Sequence, residues 1–202
     1  SVYSPEEIRK IESSVDTSSV SGKRNLCILL LASRLVMRSG DIVKLSFSEV
    51  DFGNGRINYI QEKTGKPQSL PLLPEVENAL KDYICNGRPD CDEDRIFLRL
   101  EAPYRSLTTS AVRNVVNVCM RKSGVEPNGR RHGSHIFRSS AATSMVNDGV
   151  SYEVVRRILG HKDPNVVKHY ASLDVINLKN CALRAPDPTG YFKDLLEGRS
   201  DL

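Results

Sequence analysis

The sequence predicts a mainly α fold with one small antiparallel β-sheet (α+β), and three observations predict it. Apolar residues recur at helical spacing over most of the chain, capping residues stand ahead of several of those runs, and residues 56–73 alternate polar and apolar positions about a turn. With 202 residues, 39% of them hydrophobic and 27% charged, the chain has the make-up of a globular protein. At this length about 70% of the extended-chain surface can be buried, so a single sizeable core is the default.

The elements follow in order. Ser4, Pro5, Glu6 and Glu7 supply a cap, a first-turn proline and acids at the positive helix end, predicting a helix to about Ser14. Residues 26–37 are apolar on nearly every side, as in a helix buried in the core, and Ile42, Val43 and Leu45 suggest one more short helical turn. Residues 56–61 and 69–73 flank the turn Lys63-Thr64-Gly65-Lys66, the pattern of a β-hairpin. Residues 74–85 and 107–120 read as helices, the second with Val112, Val115, Val116 and Cys119 on one face. Ser134 is the expected cap of a helix bearing Phe137, Ala141 and Met145 and closing at Gly149. Ser151 caps another that runs to Gly160, and Asp163-Pro164 starts a last short helix holding Tyr170. We read one domain at residues 1–184 and a tail at 185–202, in which Tyr191, Phe192, Leu195 and Leu196 have near-helical spacing.

The longest apolar run is broken by Ser33 and Arg34 and is too short for the 18 to 20 residues a bilayer crossing needs, so no membrane partner is expected. The first ten residues carry Glu6 and Glu7 and no hydrophobic run, unlike a secretory signal. Five cysteines (Cys27, Cys85, Cys91, Cys119, Cys181) are odd in number and never spaced as C-x-x-C, which argues against a disulfide framework or zinc ribbon and for a cytoplasmic location. Three fall in helix-like apolar stretches and read as small core residues. The net charge of +4 permits a polyanionic partner without requiring one. Arg121, Lys122, Arg130, Arg131 and Arg138, with the single acid Glu126 among them, form a candidate phosphate-facing stretch.

His135 and Arg138 sit three residues apart near the start of one helix, so both side chains leave the same face. His161 follows the helix stop at Gly160, and Tyr170 comes nine residues later. Singly these are weak signals; His135 could be an incidental first-turn residue and Arg138 half of a surface ion pair. The ordered set HIFR (135–138), AAT (141–143), LGH (159–161) and Tyr170-Ala171 closely resembles the carboxy-terminal signature of the tyrosine recombinases, the phage-integrase family. VMRSGDI, with Arg38 and Asp41, is similar to that family's first-arginine motif, and QEKTGK (61–66) to its lysine-bearing strand-turn-strand segment. Ser139 departs from the second histidine that many members have there.

The resemblance implies a DNA breaking and rejoining catalytic domain in which Tyr170 attacks the scissile phosphate. Arg38, His135, Arg138 and His161 would surround that phosphate, and Lys63, with Lys66 in reserve, would protonate the leaving 5′ oxygen. It further implies double-stranded DNA as partner, a homotetramer on DNA, a tail docking on a neighbouring subunit, and neither metal, ATP nor small-molecule cofactor. Tyr191 is the competing nucleophile, His132 and His169 are incidental neighbours, and Asp41 buttresses Arg38. Such domains usually follow a DNA-clamping domain, so this chain alone is expected to bind DNA weakly and with strong salt dependence.

Physical chemistry fits those roles. Making a phenol with pKa near 10 into a phenolate at pH 7 costs about 4 kcal/mol. Two guanidinium forks suit the charge that builds on a phosphorane, and one such donor is commonly worth about 3 to 4 kcal/mol. Histidine can donate to a nonbridging oxygen or accept the tyrosine proton. The competing readings are a type IB topoisomerase, a DNA-binding or regulatory module that has lost catalysis, and a metal-dependent nuclease; the last lacks clustered carboxylates and an H-x-H-D arrangement.

Overall fold

The helix spanning Val20–Ser33 (α2) is the axis of the molecule: in the computed structural model, which describes residues 2–130 and 133–160, its residues Cys27 to Ala32 are all buried. Around it pack α1 (Pro5–Ser13), α3 (Ser39–Lys44), α4 (Pro74–Asn86), α5 (Thr109–Lys122) and α6 (Ser134–Asn147), with α7 (Tyr152–Leu159) against α6. Between α3 and α4 lie a 3-10 turn at Phe47–Glu49 and the strands β1 (Val50–Asp51), β2 (Arg56–Ile60) and β3 (Pro67–Pro71). The strands form one antiparallel sheet in the order β1-β2-β3, with Ile57 opposite both Val50 and Leu70. Along β2 exposed and buried residues alternate, so Ile57 and Tyr59 face the core as the period-2 pattern predicts.

Most elements lie where the sequence places them, and the departures have local causes. Ser4 caps α1 in a complete capping box with Glu7. The axial helix begins six residues before the apolar run, because Ser19 accepts from the Gly22 N–H, and ends at Ser33 rather than Met37. There the Met37 N–H closes on the Leu31 carbonyl at 3.0 Å across Val36, which adopts φ 55. That left-handed helix stop usually takes glycine, and a β-branched residue in it is strained. β1 carries no sequence signal, since two residues are too few for a pattern.

Ser134 is not the cap of α6. Gly133, at φ 105, occupies that position, and the Ser134 hydroxyl pairs with Ser39 Oγ at 2.7 Å. The buried face of α6 is also rotated by one residue: Phe137 is buried as predicted, but Ala142 and Val146 are buried where Ala141 and Met145 are only half-buried. Ser151 caps α7 by position without a side-chain bond, and Gly160 ends that helix at φ 59. Of the cysteines, Cys27 and Cys119 are core residues, Cys85 is exposed although helical, Cys91 is half-buried, and all four are free. Among the described residues no helix is long and apolar enough to cross a membrane. The last predicted helix, the tail and Cys181 lie outside the described residues.

Candidate functional site

Arg38 sits in the joint between α2 and α3 as the N-cap residue of α3, and Arg138 projects from the second turn of α6. The two are a hundred residues apart in sequence and meet at the C-terminus of α7. Arg38 Nη2 donates to the carbonyls of Leu159 at 3.1 Å and Gly160 at 3.2 Å. Arg138 Nη2 donates to the same Leu159 carbonyl at 2.5 Å, and its Nη1 donates to the Val36 carbonyl. A helix C-terminus leaves carbonyls without intrahelical partners and carries partial negative charge, so guanidinium groups satisfy it on both counts. Arg138 is 5% exposed; Arg38 Nη1 is buried and has no acceptor among the described residues.

Asp41, one turn into α3, is 4% exposed. Its Oδ1 accepts the Glu62 N–H at 2.8 Å, and its Oδ2 has no partner among the described residues. Burial raises its pKa, while the Glu62 N–H and the charges of Arg38 and Arg138 pull it back down. Asp41 therefore acts on the arginines through its field, whereas its hydrogen bond goes to the hairpin backbone. Among the described residues, two guanidinium charges against the Asp41 carboxylate leave a positive corner with an unsatisfied Arg38 donor, an arrangement that attracts an anion with several oxygens.

His135 is exposed on the first turn of α6, on the side from which Arg138 turns inward. Lys63 and Lys66 are both exposed in the hairpin turn, whose base is pinned to α3 by the bond from Glu62 to Asp41. Thus Arg38, Arg138 and the end of α7 are brought together, with His135 and the Lys63 turn on elements that adjoin them. His161, Tyr170, His132, His169 and Tyr191 lie outside the described residues.

Among the described residues the basic stretch is not one continuous exposed surface. Arg130 is bound to Glu7 at 2.6 and 2.7 Å with its guanidinium 3.9 Å from the Tyr3 ring, and Arg138 is buried; Arg121 and Lys122 remain exposed on α5, and Arg131 lies outside the described residues. Among the described residues no group of three or more His, Cys, Asp or Glu side chains is placed to hold a metal ion.

Sequence reasoning missed Gln61, a buried amide at the base of the Lys63 turn, and Val36, whose carbonyl receives Arg138. Gln61 had a usable signal: it continues the inward parity of Ile57 and Tyr59 one step past the strand. Val36 had none, since nothing in a valine announces where its carbonyl points.

Known proteins resemble this chain. The y4gC protein of Sinorhizobium fredii (strain NBRC 101917 / NGR234), which bears an integrase/recombinase name, is 32% identical over 166 residues, 82% of this chain and 85% of the relative. The y4rA protein of the same strain, similarly named, is 30% identical over 90% of this chain and 44% of its own length. The crystal structure of XerH site-specific recombinase on a palindromic difH substrate superposes with a TM-score of 0.73 at 21% identity, covering 90% of this chain and 52% of that one. The chain thus spans about half the length of y4rA and XerH and most of y4gC. The family model described as the phage integrase family matches residues 2–175, which takes in every motif described above, and the chain belongs to that family.

Proposed function

We propose that this chain is the catalytic domain, residues 1–184, of a site-specific DNA recombinase that cleaves and rejoins strands through a 3′-phosphotyrosyl intermediate. The observation that carries the reading is the meeting of Arg38 and Arg138 on the Leu159 carbonyl, with one buried donor of Arg38 left over. Tyr170 Oη bonds to the scissile phosphorus as the bond from phosphorus to the 5′ oxygen breaks. Lys63 delivers a proton to that oxygen, and the phenolic proton leaves to a base at the site. Arg38, Arg138, His135 and His161 hold the nonbridging oxygens, whose growing charge the preorganised guanidinium groups stabilise. Attack by another strand's 5′ hydroxyl reverses the chemistry, so the phosphodiester energy is kept and neither ATP nor metal is consumed.

The partner is double-stranded DNA in the cytoplasm, bound by a homotetramer, with residues 185–202 docking on a neighbouring subunit. The test offers the chain a library of nicked duplexes of randomised sequence and looks for protein that keeps DNA after denaturation. Wild type forms the adduct, EDTA does not abolish it, and Tyr170→Phe forms none. An adduct in Tyr170→Phe would overturn the assignment of the nucleophile, and loss of the adduct in EDTA would overturn the metal-free chemistry.

A further inference from the structure

Lys63 makes its turn through a neighbour. The Gln61 N–H donates to the Lys66 carbonyl at 2.9 Å and the Gln61 carbonyl accepts from the Gly65 N–H at 2.8 Å, so the main chain of one residue closes the turn from both sides. Gln61 Oε1 also accepts from Thr64 Oγ1 at 2.7 Å. One residue on, the Glu62 N–H is held by Asp41. The backbone on both sides of Lys63 is therefore tied down while its side chain stays exposed.

The same Gln61 side chain reaches the other half of the site. It is 2% exposed and lies flat on Gly160: a Cβ added there would stand 2.5 Å from both Nε2 and Oε1. Gly160 is the residue whose carbonyl, with that of Leu159, accepts from Arg38. Gln61 also neighbours the buried Tyr59. A buried primary amide is costly unless its bonds are made, and a methionine would fill similar space without that requirement. The amide is thus better explained by what it registers than by what it fills.

We propose that Gln61 is a positioning residue that sets the Lys63 turn against the end of α7, keeping the proton donor for the leaving oxygen in register with Arg38 and Arg138. This rests on the reading of Lys63 as that donor. The chemistry supplies a readout that a merely structural role would not move. An alkoxide leaving group needs a proton as its bond to phosphorus breaks. A thiolate does not, because a thiol has a pKa near 8.5 whereas water's is about 15.7. Sulfur in the 5′ bridging position therefore removes the need for Lys63, and with it the need to place Lys63.

The experiment measures the rate of adduct formation by the whole 202-residue chain on the duplex recovered from the nicked library. The duplex is made with either oxygen or sulfur at the 5′ bridging position. Gln61→Met is expected to slow the oxygen substrate by about a hundredfold, the scale of a misplacement near 1 Å, and Thr64→Val by less. On the sulfur substrate both return close to wild type, as Lys63→Ala does. Thr64→Val keeps the test open should Gln61→Met fail to fold. Equal slowing of both variants on oxygen and sulfur, with Lys63→Ala recovering, overturns the role of Gln61 alone, as does a wild-type rate on oxygen. Failure of Lys63→Ala to recover on sulfur overturns the donor assignment and, with it, the reason to position that turn.

Discussion

Among the described residues, two hydrophobic clusters of very different size meet at the candidate site. The larger takes in α1 to α5, the sheet and the start of α6, and includes Phe97, Tyr83, Leu29, Leu31 and Phe137. The smaller consists of Ala142, Val146, Val155 and Leu159, flanked by Val36, Met145 and Val150. Arg38 follows from the large cluster, whereas the carbonyls that hold it belong to the small one; Arg138 lies on α6 between the two. Among the described residues, the acceptor half of the site is backed by fewer buried apolar side chains than the donor half. The geometry of both guanidinium groups thus depends on the packing of α7 against α6 as well as on the large core.

The largest effect separates the clusters by size. Phe97 is fully buried and stacks on Tyr83 with ring centroids 5.8 Å apart. Phe97→Ala removes most of that contact and is expected to cost about 3 to 5 kcal/mol, read as a lower urea midpoint with every probe moving together. Loss confined to one probe would show that the large cluster is not a single cooperative unit.

Leu159→Ala addresses the small cluster while leaving the carbonyl that both arginines use. The expected cost is about 2 to 3 kcal/mol. Amide hydrogen exchange should quicken in α7 and the second half of α6 and stay unchanged in α2 and α4. Equal quickening in α2 would abolish the distinction between the two regions.

What the sequence made legible follows the same division. Helix faces and caps are written in side chains, so α1, α4 and α5 and the faces of the large core could be read from residues such as Ser4, Val112 and Val116. The clustering of Arg38 with the HIFR helix was legible only through ordered motifs, since no periodicity links positions a hundred residues apart. The destinations of the arginines were not legible, because they bond to the backbone oxygens of Val36, Leu159 and Gly160, whose identities as residues say nothing about them. Asp41 lies within the field of Arg38, but that its Oδ1 accepts the Glu62 N–H was not legible, for the same reason. The exchange of Ser134 for Gly133 at the cap of α6 was a choice between adjacent capping residues, decided by the pairing of Ser134 with Ser39.

The smallest effect concerns one of the links that tie α6 to the larger body. The Tyr3 N–H donates to Ser140 Oγ on α6 at 3.0 Å, the Tyr3 ring lies under Arg130, and Arg130 makes two bonds to Glu7 and one to the Val2 carbonyl. Hydrogen bonding from Arg130 is the largest cause holding Glu7 below the ordinary carboxylate range. Because the folded state lowers this pKa, the pair stabilises the protein above the unfolded value near 4.3, and the contribution is lost as pH falls through the folded value. Glu7→Gln retains an acceptor for the Ser4 N–H, so the capping box survives and only the charge pairing goes. The variant should lose about 1 kcal/mol at pH 7, the difference from wild type closing as pH falls toward 3. Thermal unfolding followed across that range measures it; a gap that stayed constant down to pH 3 would mean that Glu7 supports the Tyr3 and Arg130 contacts by shape rather than by charge.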